Sequence, residues 1–500
     1  MIKAPWEKVG KRNHHGIQVP LLSLWTEKSA GNGEFLDLIP LIDLLAEVGM
    51  DMLQLLPLND SGPDASPYNA LSSTALHPIY LSLHALPHLH RPPPTFPIES
   101  KRIPYWEILD RKLDFLKSYV HEVGNRITAT EGYQTFVQNS PHLYDYAYFK
   151  TLKTLHHCHH WESWPESPLP KESPETTFHL ILQYLCHTQL KQVKAHAEKK
   201  KVFLVGDLPI LLSPDSADVW AHPEFFDLSL QAGSPPMPFD PKGQLWKFPL
   251  YRWDILEKED FNWWRKKIQT AAEYFHLYRI DHILGFFRIW AIPKGKTPDE
   301  GHFVPSDPSL MELQGQKLLE ALLSFSTMLP LGEDLGDPPP FVRTVMRALE
   351  IPGLLIFRRK RNWKTDRSFI PYQEYHPIDV TSVSTHDLEP VSLWWKNYPE
   401  EAKDYAAFKN WTYEPLLSPE KLREILYDNH HSGSLFHINP LQEYLGCLPD
   451  LTWEDPEDEQ INIPGTESTF NWTYRFKHSV NTLAASTELK SLIRGLIKTH

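Results

Sequence analysis

Apolar residues recur along this chain in two alternating rhythms. Residues 16–24 form a strand-like run despite Pro20, and Leu38, Leu41, Ile42, Leu45 and Val48 then step by three and four, the spacing of a helix with one apolar face. A second apolar run at 50–58 ends at Pro57 and Asn59. Strand, helix and strand in about 45 residues predict a parallel βαβ unit.

The rhythm breaks between 59 and 200. A turn-rich stretch at 60–69 and a proline-rich patch (Pro87, Pro92, Pro93, Pro94, Pro97, Pro104) lead into helical patterns at 105–125, 142–160 and 174–200. These predict an inserted, mainly helical subdomain over 59–200. Strand pattern resumes at 202–207, and a Gly- and Pro-containing stretch predicts a second insertion, a loop subdomain at 211–253. Phe261, Trp264, Ile268 and Ala271 then predict a helix with Asp260 as its N-cap. Strands follow near 275–281, 329–335, 353–358, 380–384 and 435–441, with helices near 310–325, 340–349, 391–408, 419–427 and 487–498. Eight strands mostly separated by helices predict an α/β fold, a (β/α)8 TIM barrel with helical insertions in which 1–500 is a single catalytic domain. A doubly wound open sheet is the alternative, but no glycine-rich phosphate loop stands where it would need one.

Composition narrows the classes. A formal charge of −13, without a basic cluster, argues against a nucleic-acid partner. Cys158, Cys186 and Cys447 are odd in number and far apart, which fits a reducing compartment. Residues 1–16 hold no apolar signal core, and Glu47 and Asp51 interrupt the best candidate for a membrane span. A cytoplasmic chain with no membrane association is expected; the sequence leaves its oligomeric state open. The run His156, His157, Cys158, His159, His160 reads as a solvated helix face, and Trp263 and Trp264 as helix packing.

Four acids fall at or just past predicted strand ends: Asp207, Asp281, Glu333 and Asp387. In a barrel these ends converge on one mouth, so acids distant in sequence can meet. Such a cluster serves a hard cation, glycosidic chemistry with one nucleophilic and one proton-donating carboxyl, or plain ion pairing. Arg279 and His386 beside the acids are donors suited to hydroxyls and carboxylates, which favours sugar over metal. So do the aromatics Phe286, Phe287, Trp290, Trp394 and Trp395 near the same ends.

The stretch Tyr278-Arg279-Ile280-Asp281-His282-Ile283-Leu284-Gly285 resembles the nucleophile segment of the 4-α-glucanotransferases (amylomaltases, or disproportionating enzymes), relatives of the α-amylases. The resemblance continues through Ser66-Pro67-Tyr68, Gly206-Asp207-Leu208-Pro209-Ile210, Gly243-Gln244-Leu245-Trp246, Gly332-Glu333-Asp334-Leu335-Gly336 and Ser384-Thr385-His386-Asp387. Ile463-Pro464-Gly465-Thr466 and Asn471-Trp472-x-x-Arg475 extend it to residue 475. It implies Asp281 as nucleophile, Glu333 as general acid and base, and Asp387 as a transition-state contact. Arg279 would keep Asp281 ionised, and His282 and His386 would donate to hydroxyls. Asp207 would be a structural or sugar-contacting carboxylate, Tyr68 would contact the donor glucose, and Trp246 and Asn471 would belong to the substrate-binding set.

No metal ligand and no cofactor are implied. The expected substrates are maltooligosaccharides or glucans. The retaining route would set the Asp281 and Glu333 carboxyls about 5–5.5 Å apart. The chain departs from the family pattern at Met237, Pro238 and Lys247, in the loop that bears on donor length and acceptor preference. A hydrolase of the same fold and an inactive glycan-binding protein are the competing readings.

Overall fold

Each of the eight apolar runs becomes a strand of one parallel sheet in a computed structural model, which describes residues 4–96, 99–165, 170–237 and 240–498. Pro97 of the proline-rich patch and Pro238 of the departing loop lie outside the described residues. The strands are β1 (His14–Val19), β2 (Met52–Leu55), β3 (Phe203–Leu208), β4 (Leu277–Ile280), β5 (Leu329–Gly332), β6 (Leu354–Ile356), β7 (Val380–Ser382) and β8 (Phe436–Pro440). Neighbours pair in parallel from β6 through β8, on to β1, and round to β5. A parallel bridge between Gly332 and Gly353, with the Gly332 N–H donating to Pro352 O at 2.7 Å, joins β5 to β6 and closes the ring. This is a (β/α)8 barrel.

Alternation along the strands sorts the core into two layers. Inside the ring, Met52, Val205, Leu277, Leu329, Val380, Phe436 and Ile438 pack with Trp6 and Val9. Those last two come from the helix Ala4–Val9, which seals the end of the barrel where the strands begin. Trp6 packs tilted against Phe436, ring centres 5.6 Å apart, and its indole N–H donates to Glu350 O at 3.0 Å. The other end of the ring is polar, lined by Gln18, Gln54, Arg279 and Glu333. Between strands and helices lies the larger apolar layer.

The helix Leu38–Val48 buries Leu38, Leu41, Ile42, Leu45 and Val48, the stripe its spacing predicts, and ends at Gly49 in the left-handed conformation (φ 89°). The helix Pro174–Lys200 packs against it and leads into β3, the position of a barrel helix. Tyr105–Thr128, Glu131–Asn139 and Leu143–Leu155 stand beyond it as the helical excursion.

Some expectations give way. The stretch 211–253 is not a loop. Phe226–Ser234 and Gln244–Tyr251 pair antiparallel and join Ile289–Pro293 and His302–Val304 in a second, four-stranded sheet. Asp260 does not cap its helix: Asp260 and Phe261 both take positive φ (51° and 52°), and Asn262–Ala272 begins without a side-chain cap. The pattern at 391–408 divides into Val391–Asn397 and Pro399–Phe408, because Pro399 cannot continue a hydrogen-bonded turn. Short 3-10 turns carry the chain from β6 to β7, where the pattern predicts no helix. The histidine run is a turn beyond Leu155, with positive φ at His157 and Cys158, not a helix face. Among the described residues no helix is long and apolar enough to cross a membrane.

Candidate active site

The site is built from the ends of the strands. Asp207 and Arg279 are register partners on β3 and β4, so their side chains point the same way into the mouth. Asp281 follows β4, Glu333 follows β5, and His386 and Asp387 stand in the loop after β7. Tyr68 arrives from the excursion after β2. The four acids and the donors expected beside them therefore share one place.

Arg279 is its centre. Nη1 lies 2.8 Å from Asp207 Oδ2 and 3.0 Å from Asp281 Oδ1, while Nη2 is 3.9 Å from Glu333 Oε2. One guanidinium thus faces three carboxyls, and its own pKa is driven further upward by Asp207 and the other acids despite burial. Exposure separates the acids' roles. The Asp207 side chain is 0% exposed, Asp281 25% and Asp387 41%. The enclosed Asp207 pairs with Arg279 and accepts the Tyr68 hydroxyl at 2.8 Å.

Glu333 is gripped by the backbone. His282 N–H donates to Oε2 at 2.9 Å and Leu335 N–H to Oε1 at 3.0 Å. His282 takes a left-handed conformation (φ 46°, ψ 57°), and from it donates that N–H. Gly332, just before Glu333, is closely covered: a Cβ there would lie 2.7 Å from both Ile283 Cδ1 and Met346 Cε, whose side-chain ends would have to move. Burial, reinforced by Asp281 and opposed by Arg279 and the two N–H donors, raises the Glu333 carboxyl to about 7. A carboxyl with that pKa can give and retake a proton at neutral pH.

Asp387 is tuned the other way. Partial burial would raise it, but the adjacent His386 ring and hydrogen bonds from His386 and Asn462 outweigh this and hold it down to about 2. His386 Nε2 lies 3.0 Å from Asp387 Oδ2 and 2.8 Å from the Tyr68 hydroxyl. Tyr68 gives its proton to Asp207, so the proton between Tyr68 and His386 belongs to Nε2. Asn462 Nδ2 donates to Asp387 Oδ1 at 2.7 Å.

The remaining expected residues divide. Trp246 stands edge-on to His282, ring centres 4.9 Å apart, at the mouth. Burial lowers the His282 pKa, leaving a neutral ring. Asn471 does not face the acids: its amide accepts from Ile463 N–H at 3.0 Å and donates to Thr466 O at 3.0 Å, fastening the turn at 463–466. Lys247, at φ 67°, pairs with Glu467 beside that turn at 2.9 Å. Met237 bridges to Asp240 at the tip of the second sheet. The flanking aromatics are mostly core: Phe286, Phe287, Trp394 and Trp395 are all buried.

Asn462 was missed, and Trp472, though inside a matching segment, was given no place at the site. Trp472 packs against Tyr68 and His386, ring centres 5.4 and 5.8 Å away. Asn462 adjoins one segment that carries the resemblance and Trp472 lies in another, which was the available signal.

Comparison with known proteins gives the family and the fold. The family model described as 4-alpha-glucanotransferase matches residues 19–481. A 4-alpha-glucanotransferase of Chlamydia caviae is 40% identical, over 96% of this chain and 93% of its own. One from Chlamydia pneumoniae is 38% identical over 98% and 97%. The solved structure of an amylomaltase from Streptococcus agalactiae, in complex with acarbose, superposes with a TM-score of 0.81 at 23% identity, covering 97% of this chain and 98% of that one; at that identity it speaks for the fold.

Proposed function

This chain belongs to the 4-alpha-glucanotransferase family, and on that premise we propose that Asp281, Glu333 and Asp387 carry its reaction. It moves α-1,4-glucan segments between maltooligosaccharides or glucans by double displacement. Asp281 attacks the anomeric carbon while Glu333 protonates the departing glycosidic oxygen. A covalent glycosyl-enzyme forms and the leaving sugar departs. Glu333, now a carboxylate, takes the proton from an acceptor's 4-hydroxyl as that oxygen displaces Asp281. Asp387, held ionised, accepts from sugar hydroxyls in the transition state. The observation that carries this reading is the opposed tuning of Glu333 and Asp387 around a guanidinium that also pairs with Asp281.

Tyr68, His282, His386 and Trp246 contact the sugar, whereas Asp207 positions Arg279 and Asn471 positions the 463–466 turn. The excursion at 59–200 and the sheet-forming stretch at 211–253 act as subdomains of one catalytic barrel. They border the mouth and keep water from the intermediate, the condition for transfer over hydrolysis. The working compartment is the cytoplasm.

Incubation with maltotriose tests transfer directly. Glucose and longer oligomers should appear at a constant count of reducing ends; a rising count would mark a hydrolase. The pH profile tests the acid. Glu333 must be protonated to start the reaction, so kcat/KM should fall as pH rises through about 7. Glu333→Gln should remove that limb along with most of the rate, and an unchanged alkaline limb in this variant would assign the proton donor elsewhere.

A further inference from the structure

At the closed end of the barrel, away from the acids, three histidines meet. His15 and His437 are register partners on β1 and β8, one residue beyond His14 and Phe436. Phe436 packs inside the ring, so alternation turns His15 and His437 outward, toward the helices. His430, the last residue of the helix Pro419–His430, comes from that layer to meet them. One nitrogen of each ring lies within 4.8 Å of the other two, and His15 Nδ1 and His430 Nδ1 are 2.9 Å apart.

The surrounding hydrogen bonds admit tautomers that aim two lone pairs into the cluster. With the Tyr444 proton on Gly16 O at 3.2 Å, His430 Nε2, 2.8 Å from that hydroxyl, is the donor there. His430 Nδ1 therefore carries a lone pair toward the cluster. His437 Nδ1 faces the carbonyl of His14 at 3.2 Å and must be protonated, which leaves a lone pair on His437 Nε2. That atom is buried and makes no regular hydrogen bond among the described residues, although the Ser432 backbone stands beside the ring. The rings of His430 and His437 are 1% and 0% exposed, whereas His15 is half-buried. Outer N–H groups tied to a hydroxyl and a backbone carbonyl are what orient histidines that ligate metal.

We propose that His15, His430 and His437 form a zinc site that ties β1, β8 and the helix Pro419–His430 together. A tetrahedral zinc at 2.0–2.1 Å from each nitrogen sets ligand atoms roughly 3.3 Å apart, so adjustments of about an ångström suffice. His15 supplies the third lone pair by moving its proton from Nδ1 to Nε2, and solvent completes the coordination. Burial keeps the rings neutral: it lowers His15 to about 4 and His437 to about 3, and His430 well below its ordinary value. Asp51 accepts the His15 backbone N–H and pairs with Arg12, so the neighbouring cation is already matched.

The test uses the full chain, stripped with EDTA and then equilibrated with Zn2+. Bound metal should reach one zinc per chain, and the melting temperature should rise by several degrees. Co2+ in its place should give visible d–d bands of an imidazole-bound ion. His15→Gln should keep glucan transfer yet lose both the zinc and the melting shift, whereas His157→Gln should keep both. Failure of the unaltered chain to bind zinc stoichiometrically, or absence of the Co2+ bands, overturns the site without recourse to a variant. So does zinc retained by His15→Gln but lost from His157→Gln, which would move binding to the turn at 156–160.

Discussion

Asp281→Ala is expected to lower glucan transfer on the order of 10^5-fold, because no other group can form the covalent intermediate. Asp207 is fully enclosed behind Arg279, and Asp387 is already engaged by His386 and Asn462. Stability should barely change: Asp281 is partly exposed, and Arg279 keeps its 2.8 Å partner in Asp207. Steady-state transfer from maltotriose, measured beside a thermal melt, separates lost chemistry from lost fold. A variant that melts normally and still turns over at a sizeable fraction of the parent rate would remove Asp281 from the nucleophile's place.

The second large effect belongs to Arg279. Arg279→Leu leaves Asp207 buried with its charge unmatched, and removing one partner of such a pair costs about 3–5 kcal/mol. Burial already pushes the Asp207 carboxyl above its ordinary value against the pull of Arg279, so the lost cation should drive it toward the protonated form. Urea unfolding should show the loss. Adding Asp207→Asn should recover part of it, since the uncharged amide no longer needs a cation. Activity should stay low in both variants, because Glu333 and Asp281 lose the charge that separates their tasks. If the double variant were no more stable than Arg279→Leu alone, the pair would not be the source of the cost.

The sequence made the barrel legible because its strands are nearly continuous apolar runs and its helices carry clear stripes. The stripe at Leu38–Val48 and the closing acids of β3, β4 and β5 needed no tertiary information. The second sheet was illegible for a physical reason. Ile289–Pro293 pairs with Phe226–Ser234 from a different barrel loop, and neither carries a tight two-residue hairpin signal to announce the pairing. Aromatics misled in the same way. Trp394 and Trp395 lie close in sequence to Asp387, yet the helix Val391–Asn397 turns them into the core.

The acids' positions could be read from the strand pattern, but their division of labour came only through the resemblance. Asp207 and Asp387 look alike as letters; exposure and partners make one a brace and the other a contact. Asn471 was expected at the sugar because it sits in a matching segment, and its amide is spent on the 463–466 turn.

The plug of the barrel bears on how the chain is made. Trp6 packs on Phe436, and β1 borders β8, so the floor of the ring needs residues from opposite ends of the sequence. As the ribosome extends the chain, β1 waits with one edge unpaired and Trp6 without its aromatic partner until β8 emerges. Closure is then a late, long-range event, and the growing chain carries an open sheet edge until nearly all of the barrel has been synthesised.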